Sequence, residues 1–235
     1  MPDNAQSATA RTVEVAGFGN ENTRGQGAGY QDRWGVGSGA TGSWLAVADG
    51  IGGGPAGQEA AEVALGLVQV VLGAGEPSET RLHQLFDSVY VALRPWWAQE
   101  RGGGTTLTVA AISDAGLWMA AVGDSPAYVD FGSGYEMVTE PKQSHQLKEW
   151  LGSEDRPRPW VELWRRPEHE IRGVIVTSDG VDASAVTSLA ANRTAGDVVG
   201  TLRELPSVGG DDASAAVAVF APPIGTQALV RSEVR

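Results

Sequence analysis

Two long amphipathic helices stand inside a series of short apolar runs, and that order constrains the fold more than any other feature of this chain. Residues 43–48 (SWLAVA), 105–112 (TTLTVAAI), 116–122 (GLWMAAV), 173–177 (GVIVT) and 213–220 (ASAAVAVF) are short and apolar, with glycine or polar residues at their ends, as buried strands are. Residues 11–18, 127–131 and 135–139 predict further strands, and the tight connection at 113–115 predicts a hairpin. The glycine-rich stretch 19–42 reads as a loop holding a short strand around Trp34 and Val36, and residues 51–54 read as a turn.

Pro55 suits the first position of a helix, and 3.6-residue spacing puts Val63, Leu67, Val70 and Val71 on its predicted buried side. Ser78 is placed to cap a second helix with the stripe Leu82, Leu85, Phe86, Val89 and Leu93, and Pro95 is predicted to bend or end it. Shorter helices are expected around 144–151, 183–192 and 195–205. Helices inserted between antiparallel strands, rather than alternating with parallel ones, predict an α+β fold. The layers would form an α/β/β/α sandwich, two central antiparallel sheets flanked by helices. No linker divides the chain: residues 1–10 read as a disordered or frayed N-terminus and 11–235 as one domain.

Composition removes several functions. Acidic residues outnumber basic ones 29 to 17, a net charge of -12 with no basic stripe, so nucleic acid is not an expected partner. There are no cysteines, which excludes disulfides, thiolate nucleophiles and cysteine-held metals. No run of about 18 apolar residues and no leader-like N-terminus is present, so a protein off the membrane and in the cytoplasm is expected.

The aspartates carry the functional signal. Asp49 follows one apolar run and precedes Gly50, Asp124 follows another, and Asp179 follows a third and precedes Gly180. Asp211 and Asp212 stand just before the last run, and Asp32 lies in the first long loop. Any one Asp-Gly is also what a turn or helix cap looks like; the recurrence points to a shared rim. Carboxylates gathered at one rim oppose each other's ionisation, and a hard divalent cation with oxygen ligands, Mg²⁺ or Mn²⁺, resolves that conflict.

In order along the chain, VADGIGGGPAGQEAA (47–61), TTLTVAAI (105–112), AVGDSPAYV (121–129), VIVTSDGVD (174–182) and GGDDASAAVAVF (209–220) resemble the metal-dependent serine/threonine protein phosphatases of the 2C type, the PPM family, in their compact bacterial form. YQD (30–32), with Arg24 upstream, is a weaker match to the family's opening segment. The resemblance implies hydrolysis of phosphoserine and phosphothreonine on proteins by a hydroxide bridging two Mn²⁺ or Mg²⁺ ions, with a weaker third ion. It implies Asp49 as the bridging carboxylate, the Gly50 carbonyl as a ligand to one ion and Asp179 and Asp211 as ligands to the other. Asp124 would help hold the third ion, Asp32 would support the second, and Arg24 would clamp the phosphate; Asp32, Arg24 and Asp49 are thus the expected catalytic residues. The implied partner is a phosphorylated protein, and bacterial relatives commonly oppose a serine/threonine kinase.

Departures from the family pattern are specific. Arg24 stands farther from Asp32 than the family spacing, which makes Arg33 a competing phosphate ligand. Pro126 replaces an arginine, Asp212 an asparagine, and residues 140–170, the counterpart of the flap beside the site, are shortened and altered. They keep open a second expectation, a catalytically weak or inactive binding or regulatory module of the same fold. A serine hydrolase built on Ser125 in GDSPA (123–127), with His145 or His169 as base, is disfavoured because a strand, not a helix, is expected after Ser125.

Overall fold

Runs of apolar residues without polar alternation become strands that are covered on both faces. The structure, a computed structural model, describes residues 12–20, 30–39, 42–51, 55–98, 102–113, 116–139, 149–164, 171–191 and 193–224. One antiparallel sheet runs in the order β1 (Thr12–Asn20), β12 (Ala213–Ile224), β11 (Ile171–Thr177), β8 (Ala127–Asp130), β9 (Tyr135–Met137). The other runs β10 (Trp160–Trp164), β7 (Gly116–Val122), β6 (Leu107–Ser113), β3 (Gly42–Ala48), β2 (Arg33–Gly39). A two-stranded ribbon pairs β4 (Gly50–Ile51) with β5 (Gly104–Thr105).

Strand β3 shows why its run is continuously apolar. Successive side chains point to opposite faces. Leu45 and Val47 join the core between the sheets, against Val129, Val174, Val176 and Ala216 of the facing sheet. Trp44, Ala46 and Ala48 point the other way, into a core with α1 (Pro55–Gly73) and α2 (Glu79–Ala98). The outer face of the first sheet, with Tyr128, Ile175 and Val217, is covered by α3 (Ala183–Thr187) and α4 (Ala195–Arg203) through Val186, Val198 and Leu202. The result is the expected four-layer α+β sandwich. A fully buried Leu or Val side chain in such layers contributes about 1.5–3 kcal/mol.

Local details differ from the sequence reading. The buried face of α1 is Gly57, Ala60, Ala61, Ala64, Val68 and Leu72, while Val70 is 66% exposed. Small side chains let the helix lie close to the sheet; Val63, Leu67 and Val71 pack at the edge of this face, partly buried, and Val70 alone of the predicted residues turns outward. Helix α2 passes through Pro95 to Ala98; Pro95 and Val91, whose carbonyl it leaves unbonded, are both exposed, so water can satisfy that oxygen. The 19–42 stretch is strand at both described ends: β1 reaches Asn20 and β2 fills 33–39. Glycines in these strands make room for tryptophans, since a Cβ at Gly17 of β1 would overlap the Trp34 ring and one at Gly37 of β2 the Trp44 ring.

Three further corrections bear on the site. Ile51, read as part of a turn over 51–54, is instead paired with Gly104, beside Gly50 with Thr105, and the run 105–112 breaks at Thr106. Strand β10 was not expected from the Pro- and Trp-rich stretch around it. The described part of the 144–151 helix, residues 149–151, is not helical, and Leu151 instead bridges to Thr105. No helix among the described residues is long and apolar enough to cross a membrane.

Candidate metal and phosphate site

Strand register gathers the aspartates. In the first sheet Thr177 pairs with Ala215, so the end of β11 meets the start of β12, which puts Asp179 beside Asp211 and Asp212. In the second sheet Arg33 pairs with Ala48, so Asp32 and Asp49 leave the same edge together. Leu107 pairs with Val122, which carries Asp124 toward that edge as well. Stacking of the sheets then brings the two groups together: the Asp49 carboxyl lies within electrostatic reach of both Asp32 and Asp179.

The backbone behind Asp49 is firmly tied. Its amide donates to Thr106 Oγ1 at 3.0 Å, and its carbonyl accepts from the Thr106 amide and the Thr105 hydroxyl, both at 2.9 Å. Thr106 Oγ1 lies 2.8 Å from Ser125 Oγ, and the Thr108 hydroxyl donates to the Ser125 carbonyl at 2.7 Å. Glycines set the two Asp-Gly turns by close approach. A Cβ on Gly50 would press into the Gly57 carbonyl at the start of α1, and one on Gly180 would overlap the Asp212 carbonyl. Asp212 is buried, and its Oδ2 accepts from the Gln31 amide at 2.7 Å, which pins the Asp32 segment to the start of β12.

Burial and mutual repulsion push these carboxyls up. Asp32, 1% exposed, is raised to about 6, by desolvation first and then by the charge of Asp212; Ser178, Asp49 and Ser214 beside it pull the other way. Asp49 is raised well above the ordinary carboxylate range by desolvation and by Asp32, Asp179 and Asp211. Asp179 keeps an exposed surface, yet it too is raised to about 6, by desolvation and then by Asp124 and Asp211. Desolvation and Asp211 also raise Asp124. The acids therefore sense each other as one cluster.

The donor chemistry fits hard divalent ions: every candidate side-chain ligand is a carboxylate oxygen. A specific atom supports the fit. Asp32 Oδ2 is buried with no hydrogen-bond partner of good geometry, and so is Ser214 Oγ nearby. Such orphaned oxygens are rare in folded proteins. Among the described residues no group of three or more carboxylate or imidazole side chains is preset around an ion; the carboxyls crowd one another instead, which disfavours their joint ionisation.

Other candidates are placed as follows. Arg24 lies outside the described residues. Arg33 does not reach for phosphate: its guanidinium pairs with Glu62 at 2.8 Å and donates to the Tyr30 and Asp32 carbonyls at 2.8 and 2.7 Å. Ser125 is buried against Thr106 and leads into β8, not a helix, so it forms no nucleophile elbow; His145 and His169 lie outside the described residues. Sequence reasoning gave no role to Thr105, Thr106, Ser178 or Ser214. Their contribution depends on sheet register, which no local motif reveals.

The protein phosphatase 2C profile matches residues 21–213. Among solved structures, a bacterial serine phosphatase carrying an arginine-to-alanine substitution superposes with a TM-score of 0.73 at 22% identity, covering 89% of this chain and 99% of that one. The PPM Ser-Thr phosphatase MsPP from Mycobacterium smegmatis, in complex with cacodylate, gives 0.71 at 21% identity over 87% and 97%. The catalytic domain of the serine threonine protein phosphatase PstP, in complex with 2 manganese ions, gives 0.65 at 21% identity over 90% and 99%. No curated protein matches the chain.

Proposed function

The chain belongs to the protein phosphatase 2C family, and from that premise we propose that it hydrolyses phosphoserine and phosphothreonine on proteins in a reaction dependent on Mn²⁺ or Mg²⁺. The observation that carries this reading is the crowding of Asp49 by Asp32 and Asp179 beside an unpartnered buried carboxylate oxygen. Asp49, the Gly50 carbonyl, Asp179 and Asp211 would hold two ions, with Asp49 serving both, and Asp124 would help hold a weaker third. Bound there, the ions would supply the Lewis acidity that activates water and offsets charge on the phosphoryl oxygens.

The chain's own groups do the positioning. The Thr105–Thr106 clamp fixes the Asp49 backbone, so its carboxylate meets the reacting centre without rearrangement. Asp32 Oδ2, buried without a hydrogen-bond partner of good geometry, would accept a hydrogen bond from a water at the site and orient it. Arg24 is assigned to the phosphate, a role that the engagement of Arg33 with Glu62 supports. The engaged Arg33 and the altered 140–170 segment favour a second reading, a catalytically weak or inactive regulatory or binding module of the same fold.

Phosphate release from a phosphothreonine peptide separates the two. Phosphatase function predicts release that requires Mn²⁺ or Mg²⁺ and stops on chelation. Binding of the peptide with no release under either metal would overturn it in favour of the binding module.

A further inference from the structure

A cavity of about 440 Å³ opens beside the acid cluster, at the end of the sandwich where the edge strands β9 and β10 part. Asp124 lines it, with Val138, Trp160, Glu162, Glu149 and Arg158 among its other walls. The register explains the lining. Trp160 pairs with Ala121 and Glu162 with Met119, and residues two apart share a face. Trp160 packs into the core between the sheets, so Glu162 points toward that same inter-sheet side from an edge strand. It is half-buried, beside an indole, and makes no hydrogen bond or ion pair among the described residues. Arg158 shares the cavity but is also unpaired, on the exposed side.

Resting on the phosphatase reading, the geometry points to this cavity as a specificity pocket for a lysine or arginine of the phosphoprotein substrate. Glu162 is the unpaired carboxylate on the inner wall, and the single guanidinium, Arg158, stands on the exposed side where water screens it. An aliphatic stem suits the Val138 and Trp160 walls, the indole face attracts a cation, and Glu162 provides the counter-charge inside. Asp124 and the residue opposite Glu162 are five positions apart along β7 and the bend after it, at most roughly 16 Å. Allowing for the reach of the basic side chain itself, an extended peptide places that residue about three or four positions from the phosphorylated one.

The test uses labelled phosphothreonine peptides in which a single lysine or alanine is moved from one to five positions away on either side, with affinity read by fluorescence anisotropy at low salt. The wild-type chain is expected to bind the best lysine peptide about tenfold tighter than its alanine counterpart, with the advantage shrinking as salt is raised. Glu162→Gln should reduce the advantage below about twofold, Glu162→Lys should turn it into a preference for a glutamate peptide, and Arg158→Ala should enlarge it. Equal binding of lysine and alanine peptides by the wild type, or a preference that survives Glu162→Gln, overturns the proposal. Mn²⁺-dependent turnover of p-nitrophenyl phosphate, measured in parallel, reads the phosphatase assignment alone. Its absence would reject that assignment while the anisotropy still decides the pocket.

Discussion

Asp49→Asn is expected to lower Mn²⁺-dependent phosphate release by at least about 100-fold, and at the same time to raise the melting temperature of the metal-free protein near neutral pH. The two effects have one cause. Asp49 is assigned as the ligand common to two ions, and even outer groups around a metal ligand typically account for 10–100-fold in affinity or activity. Without ions, the Asp49 charge is opposed by desolvation and by Asp32, Asp179 and Asp211. Asparagine removes that charge, keeps the shape and retains hydrogen-bonding capacity toward Asp32 and Asp179. A purely structural Asp49 would give the opposite stability result, because loss of a favourable carboxylate lowers the melting temperature. Phosphate release and calorimetric melting on one preparation of each protein separate these outcomes.

The second large effect is a pH dependence that reverses when metal is added. Asp32 and Asp179 are each raised to about 6 from an ordinary value of 3.8. Between those values the folded chain holds protons that the unfolded chain has released, so stability is fully present below the unfolded value and falls as pH rises through the folded one. Buried Asp32 dominates; Asp179, with its exposed surface, contributes less because solvent screens it. The loss from about pH 5 to about pH 7.5 is on the order of 2 kcal/mol, or about 4–8 °C in melting temperature for a chain of this size. Saturating Mn²⁺ should reverse the slope, because the ions bind the deprotonated acids and add about 2.7 kcal/mol at a hundredfold excess over the dissociation constant. A metal-free melting temperature that rises over this pH range would contradict the clustered-acid account.

Much of this molecule is legible in its sequence because its decisive features are local. An apolar run followed within two residues by Asp announces a buried strand and a carboxylate at its end, and Asp49, Asp124 and Asp179 each stand one or two residues beyond such a strand. The α2 stripe is equally direct, since Leu82, Leu85, Phe86, Val89 and Leu93 are all buried. What escapes is set by partners distant along the chain. Much of the fully buried α1 face is alanine, which a search for large apolar residues passes over. Arg33 looks available until α1 brings Glu62 against it from 29 residues away. Strand β10 and its half-buried Glu162 acquire meaning only when the register with β7 is known. Ser178 and Ser214 show the same dependence: the Ser178 hydroxyl accepts the Ser214 amide at 3.0 Å across adjacent strands, a contact that places both hydroxyls beside Asp32.

The most direct measurement is calorimetric titration of Mn²⁺ into the metal-free protein, repeated in buffers of different ionisation enthalpy. The account predicts uptake of about two ions per chain with release of protons, since carboxyls raised by crowding must give up their protons to ligate. It predicts that Asp49→Asn and Asp179→Asn each lose most of that uptake. An absence of binding heat, or uptake that is unchanged in both variants and independent of buffer, would contradict it.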